Sequence, residues 1–169
     1  MSTGENSFDR WAFRTALGRF PTGIAVVTTR GVDGAPVGIT VNSFNSVSLD
    51  PPLVLWSLQR DSTSLDDFRQ SGRYAVNILS SDQAALSQRF ASQVANKFDG
   101  VDWAWNDNGM PLIGGAIASF DCRIEAFLEG GDHLILLGAV TAFAAHAGEP
   151  LIYCGGDYAR LSPPEVSDR

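Results

Sequence analysis

Cysteine and histidine are scarce in this chain, and each scarcity removes a class of chemistry. Cys122 and Cys154 are the only cysteines and have no CxxC spacing. Two such thiols make neither a disulfide framework nor a zinc site, so both are expected to be buried structural groups. His133 and His146 are the only histidines, too few for most metal sites. GxSxG, HExxH and GxxxxGK[ST] are all missing, which sets aside serine hydrolases of the nucleophile-elbow type, zinc proteases and P-loop nucleotidases. GxGxxG is missing too, so any nucleotide is not held in the Rossmann manner. No pair of carboxylates stands out as an acid and a base.

Positive charge is also short. The formal net charge is −7 and the pI is near 4.6. A general nucleic-acid binder needs a basic surface for phosphates, and an electrostatic membrane anchor needs one for anionic lipids. No window approaches the ~18 uninterrupted apolar residues of a membrane helix. The opening MSTGENSFDRWAF has no basic region followed by an apolar run. No secretion signal is expected from it, and a cytoplasmic protein is the default.

What is present is an ordinary globular composition. Hydrophobic residues make up 44% of 169 residues, and the mean hydropathy is zero. One domain over 1–161 with a sizeable core is expected. The last residues, SPPEVSDR at 162–169, are expected to form a disordered tail.

The pattern along the chain is mostly β. Asn6 and Ser7 are expected to cap a helix carrying Phe8, Trp11, Ala12, Ala16 and Leu17 at helical spacing, with this stripe packed on the sheet that follows. Gly23–Arg30 is β-branched and reads as a strand. Val32-Asp33-Gly34 turns the chain into Val37–Asn42. Leu53–Leu58, Tyr74–Leu79, Ala116–Leu128, His133–Ala145 and Leu151–Cys154 read as further strands. Short helices are expected after Ser64, closed by Gly72, and over Asp82–Ala91, capped by Ser81. Ala95–Leu112 is irregular, and its Phe98, Trp103 and Trp105 are expected to make it an ordered cover. Strands joined by hairpins rather than long helices predict an antiparallel barrel, not a doubly wound parallel sheet.

One stretch concentrates the polar chemistry. Pro36–Ser64 reads PVGITVNSFNSVSLDPPLVLWSLQRDSTS. It has a hydroxyl and amide cluster from Asn42 to Ser48, a stiff Asp50-Pro51-Pro52 link, and a second cluster at Ser62, Thr63 and Ser64. Hydroxyls and backbone N–H groups at a helix start suit a phosphate, although serine and threonine begin many helices as plain caps. A site rich in hydroxyls and poor in ionisable groups suits an enzyme whose cofactor carries the hard chemistry. On the residues alone, His133 is more simply a surface or hydrogen-bonded strand histidine, Lys97 ordinarily a solvated surface lysine, and Tyr158 ordinarily a packing aromatic.

The spaced motifs together resemble the short-chain flavin reductases, the reductase components of two-component flavin-dependent monooxygenases. They are FPTGIAVVTT at Phe20–Thr29, GITVNSFNSVSLDPPLV at Gly38–Val54, SGRYAVNIL at Ser71–Leu79, KF at Lys97-Phe98, GDH at Gly131–His133 and YCGGDY at Tyr153–Tyr158. The resemblance implies a Greek-key split β-barrel with a few short helices, forming a homodimer with flavin near the subunit interface. It implies hydride transfer from NADH or NADPH to FMN or FAD, with reduced flavin diffusing to a separate oxygenase.

By the same resemblance, Thr40, Asn42 and Ser43 lie along the flavin ring. Ser57, Leu58, Gln59, Ser62, Thr63 and Ser64 wrap the ribityl and phosphate end, and Lys97 adds positive charge there. His133, Tyr158 and Arg160 match positions placed by the nicotinamide nucleotide, His133 being the catalytic candidate. Val41 stands where the family commonly has a small residue, and is expected to narrow the flavin or nicotinamide slot. The competing readings are a flavin carrier or sensor on the same fold, an oxidase of pyridoxal-type substrates, and a purely structural barrel. The oxidase would want a cluster of arginines and lysines that the chain does not present.

Overall fold

The computed structural model describes residues 8–162. Their elements are mostly strands, in the order α1 (Arg10–Leu17), β1 (Thr22–Gly23), β2 (Ala25–Arg30), β3 (Pro36–Val41), β4 (Asn45–Leu49), β5 (Pro52–Gln59), α2 (Leu65–Ser71), β6 (Arg73–Ile78), α3 (Ala84–Ala91), β7 (Trp103–Trp105), β8 (Pro111–Ile113), β9 (Ala118–Gly130), β10 (His133–Ala145), β11 (Ile152–Cys154) and β12 (Asp157–Ala159). The expected tail beyond Ser162 lies outside the described residues. No helix among the described residues is long and apolar enough to cross a membrane.

Seven strands form one sheet in the order β3-β2-β6-β9-β10-β5-β4, and every pairing in it is antiparallel. Its two edges, β3 and β4, are consecutive in the chain but are not hydrogen-bonded neighbours. The sheet curls around its inner face, because a single core cluster draws Val41 from one edge, Tyr74 and Cys122 from the middle, and Val54 and Trp56 from beside the other edge. Trp56 and Tyr74 are fully buried and meet edge to face at 5.8 Å. Side chains of this size contribute roughly 1.5–3 kcal/mol each on burial.

A second core forms on the outer side of β2, where Ile24, Val26 and Leu79 meet Phe90 of α3, Phe98 and Leu151. The cover expected over 95–112 is ordered by an aromatic chain. Phe90 meets Phe98 at 4.9 Å, Phe98 meets Trp103 at 5.1 Å, and Trp103 meets Trp105 at 5.1 Å. The turn between β7 and β8 is tied down by Asp121, whose Oδ2 accepts from the side-chain amides of Asn106 and Asn108 at 2.9 and 2.6 Å. Its Oδ1 accepts from Arg73 at 3.0 Å.

Several expectations need correction. α1 begins at Arg10, and its cap is Asp9, whose carboxylate accepts from the N–H groups of Trp11 and Ala12. Asn6 and Ser7 lie outside the described residues. The apolar stripe of α1 does not pack on the sheet: no residue of the helix is buried, and Trp11 is 76% exposed. The run Asn45–Leu49, to which the sequence assigned no secondary structure, is an edge strand, because its backbone pairs with β5. α3 starts at Ala84 behind Gln83, not Ser81, and Gln83 instead donates to the Gly114 carbonyl at 2.8 Å. Only Cys122 is buried; Cys154 is exposed, since it sits on a short outer strand beside a glycine turn. Gly72 does close α2, with φ of 64°, a left-handed conformation that glycine reaches without a Cβ clash.

Candidate functional site

A groove of about 760 Å³ runs between the start of β3, the start of α2 and the loop at 93–99. Its lining includes Gly38, Thr63, Ser64, Lys97 and Trp103. Local bonds hold the loop in place. Arg89 of α3 donates from Nε to the Lys97 carbonyl at 2.7 Å and from Nη2 to the Asn96 carbonyl at 3.0 Å. Lys97 turns back, donating from Nζ to the carbonyls of Phe90 at 2.8 Å and Gly38 at 3.5 Å. Gly38 also lets the Phe90 ring pack directly against β3, because a Cβ there would lie 2.6 Å from Cε1 of Phe90. Lys97 is the only lysine in the chain, and partial burial lowers its pKa from the ordinary lysine value.

The turn before α2 uses some of its own donors. Ser62 Oγ accepts from the N–H of Ser64 at 3.3 Å, and the Ser62 carbonyl accepts from Leu65 at 3.1 Å. Two N–H groups expected to be free at this helix start are therefore engaged. Ser64 holds the N-cap position without a side-chain cap bond, which leaves its hydroxyl to the groove. Thr63 is exposed.

Ser43 and Ser57 form a pair of their own. The N–H of Ser57 donates to Ser43 Oγ at 2.9 Å, and the Ser43 hydroxyl donates to the Ser57 carbonyl at 3.4 Å. This pair ties the exit of β3 to β5, across the place where β3 and β4 leave each other unpaired. Asn42 is exposed. Leu58 is 1% exposed, so its side chain belongs to the core and only its neighbours can face a ligand. Val41 is likewise a core residue at 8% exposure. Strand alternation sends its side chain to the face opposite Thr40.

His133 begins β10 directly opposite Gln59. Its Nδ1 lies 2.8 Å from Asp132 Oδ1, and this hydrogen bond, with the charge of the ring, holds the Asp132 carboxyl below its usual range. The hairpin beneath it turns through Gly131 at φ 73°, which favours glycine. Arg60 braces the hairpin by donating to the Gly131 carbonyl at 2.6 Å and pairing with Glu129.

Thr40 and Tyr158 meet on a residue that the sequence did not single out. Thr40 Oγ1 donates to the backbone carbonyl of Ser87 at 2.6 Å. The Tyr158 hydroxyl donates to Ser87 Oγ at 2.9 Å. Ser87 is fully buried on α3. Its signal was available: it lies three residues before the core residue Phe90, which puts both on one helix face. Arg160 is apart from this group and lines a separate hollow with Ser80, Asp82 and Glu149.

Thr63, Ser64 and Lys97 thus share one groove, and Thr40 and Tyr158 share one helix residue. The groove lies in the usual range of ligand sites, about 300–1,000 Å³, and combines neutral hydroxyls, an aromatic wall, the carboxylates of Asp67 and Asp99 and one cation. The hydroxyls, the aromatic wall and Lys97 suit a flat ligand carrying a phosphate, while Asp67 accepts from the Val32 N–H at 3.0 Å. Residues 17–162 match the family described as flavin reductase like domain.

The chain belongs to that family.

This flavin reductase family member is 47% identical over 159 residues to FMN reductase (NADH) SmoA of Agrobacterium fabrum, covering 94% of this chain and 88% of the relative. It is 40% identical over 162 residues to the flavin-dependent monooxygenase reductase subunit HsaB of Mycobacterium tuberculosis, covering 94% and 86%. Among solved structures it superposes on the NADH:FAD oxidoreductase of Streptomyces globisporus, in complex with NAD and FAD fragments. There the TM-score is 0.88 at 39% identity, over 94% of this chain and 96% of that one.

Proposed function

We propose that this chain is an NAD(P)H-dependent flavin reductase that passes hydride to FMN or FAD and supplies reduced flavin to a separate monooxygenase component. The observation that carries this is the near full-length likeness to an NADH:FAD oxidoreductase in complex with NAD and FAD fragments. The HsaB relative, a reductase subunit of a flavin-dependent monooxygenase, supports the separate oxygenase. Flavin, when bound, supplies the ring that accepts the hydride.

The chain's own residues then bind and orient. Ser64 and Thr63 offer hydroxyls to a phosphate, and Lys97 offers a cation from the same groove. Thr40 and Ser43 flank the ring side of the site, each held by a hydrogen bond to a neighbouring element. His133, oriented by Asp132, is assigned to placing the nicotinamide nucleotide, with Tyr158 and Arg160. Hydride transfer asks little acid–base work of the protein; the ionisable groups lining the groove are Asp67, Lys97 and Asp99.

The architecture is read as a Greek-key split barrel in a single domain over 1–161. The curled seven-stranded sheet with unpaired consecutive edges supports it. A cytoplasmic homodimer is part of the same proposal. Exposed apolar side chains at Phe13, Leu17, Phe20, Leu49 and Phe143 support an interface between copies, and sedimentation velocity checks it.

The functional test is absorbance at 340 nm with each of NADH and NADPH against each of FMN and FAD. Turnover above the uncatalysed background is expected for at least one pair. If no pair is turned over but flavin binds, the protein is a flavin carrier.

A further inference from the structure

Of the residues around the site, Ser87 has no assigned role, yet two assigned residues converge on it. Its carbonyl receives Thr40 and its hydroxyl receives Tyr158. It is a polar side chain with no exposed surface, in a helix whose other fully buried residue is Phe90. A buried serine is kept at a cost unless its hydroxyl is satisfied, and here the partner is the Tyr158 hydroxyl.

The two residues it joins come from separate sheets. Thr40 lies on β3, at one edge of the seven-stranded sheet, while Tyr158 lies on β12, at the edge of the three-stranded sheet β1-β11-β12. The backbone of Tyr158 is held by the Asp157 carboxylate and by β11, but its side chain otherwise rests on apolar contacts, including the Tyr153 ring at 5.9 Å. Such contacts fix depth but not direction, since dispersion is not directional, whereas a hydrogen bond at 2.9 Å fixes where the phenol ring points. Because its hydroxyl is directed into α3, Tyr158 presents a ring face or edge to a ligand rather than its oxygen.

We propose that Ser87 is a positioning residue for the reductase reaction, setting the Tyr158 ring on the nicotinamide side in register with Thr40 on the flavin side. It acts through Tyr158 and touches neither ligand. The proposal rests on the reductase reading. Hydride transfer tolerates little misplacement of the two reactants, so a loosened Tyr158 lowers turnover of the nicotinamide while leaving flavin binding intact.

Ser87→Ala removes the hydroxyl and keeps the carbonyl that receives Thr40. Tyr158→Phe removes the other partner at a half-buried position. In the full-length protein, each is expected to lower kcat/KM for NADH by about three- to tenfold, the range of one lost hydrogen bond. The dissociation constants for FMN and FAD, read by quenching of flavin fluorescence, are expected to stay within about twofold. The double variant is expected to be no worse than either single one, because both remove the same bond. Independent, multiplying losses overturn the proposal. So does a weakening of flavin binding equal to the loss in kcat/KM, or unchanged kinetics in Ser87→Ala. Absence of turnover in the unaltered protein overturns the reductase reading itself, and this role falls with it. Should Ser87→Ala fail to fold, Tyr158→Phe with the same two readouts decides.

Discussion

The ammonium of Lys97 donates to the carbonyl oxygen of Phe90 at 2.8 Å, and Lys97 lines the groove shared with Thr63 and Ser64. A cation held this way is pre-set for a phosphate, and bonds to charged groups are worth about 1.5–3 kcal/mol. Lys97→Met is therefore expected to weaken flavin binding by about 10- to 100-fold, measured by fluorescence quenching, with melting temperature little changed. As the only lysine, it also reports on the groove directly. Acylation at Lys97, mapped by mass spectrometry, is expected to slow when FMN or FAD is added.

The lowered pKa of Lys97 makes a pH prediction with a definite sign. Burial disfavours the charged form in the folded protein, so the unfolded chain holds this proton at pH values where the folded chain has lost it. Stability then rises with pH between the lowered folded pKa and the ordinary lysine value of 10.5. Below that window the burial cost of the charge is present in full. Unfolding by urea from pH 7 to 11 is expected to show the unaltered protein gaining on Lys97→Met as pH rises.

His133 and Asp132 are adjacent and bonded at 2.8 Å. His133→Ala is expected to raise KM for NADH by about three- to tenfold without unfolding the protein, as for one lost hydrogen bond. Asp132→Asn keeps the ring but loses the carboxylate that orients it, so a smaller change in the same direction is expected. The Asp132 carboxyl is held below its usual range, so its help is present at neutral pH and is lost only as pH falls through that lowered value. Unchanged steady-state kinetics in His133→Ala would remove it from the site.

Gly138 faces the Tyr74 hydroxyl so closely that an added Cβ would overlap it. Gly138→Ala is expected to destabilise the protein by about 1–3 kcal/mol through overpacking, seen as a lower melting temperature at unchanged flavin affinity per folded molecule.

The two thiols should separate cleanly. Cys154 is exposed, while Cys122 is buried with its pKa pushed up to about 12, chiefly by burial. A thiol reagent at pH 8 is expected to modify Cys154 promptly and Cys122 only with global unfolding.

Much of this protein was legible in its residues. β-branched runs separated by glycine turns determined the strands, because side-chain shape and positive φ act locally. The spaced motifs named the family, and GDH and KF pointed to His133 and Lys97. Three things were decided only in three dimensions. The run Asn45–Leu49 became a strand because β5 offered its backbone partners, overriding a composition of serines and asparagine that favours turns. The stripe of α1 stayed exposed because periodicity predicts an apolar face but not what covers it. Ser87 gained its place because two hydrogen bonds of sequence separation 47 and 71 converge on it. Local chemistry sets which elements form; which side chains meet depends on how the sheet curls and where α3 lies against it, and neither is written in any single segment.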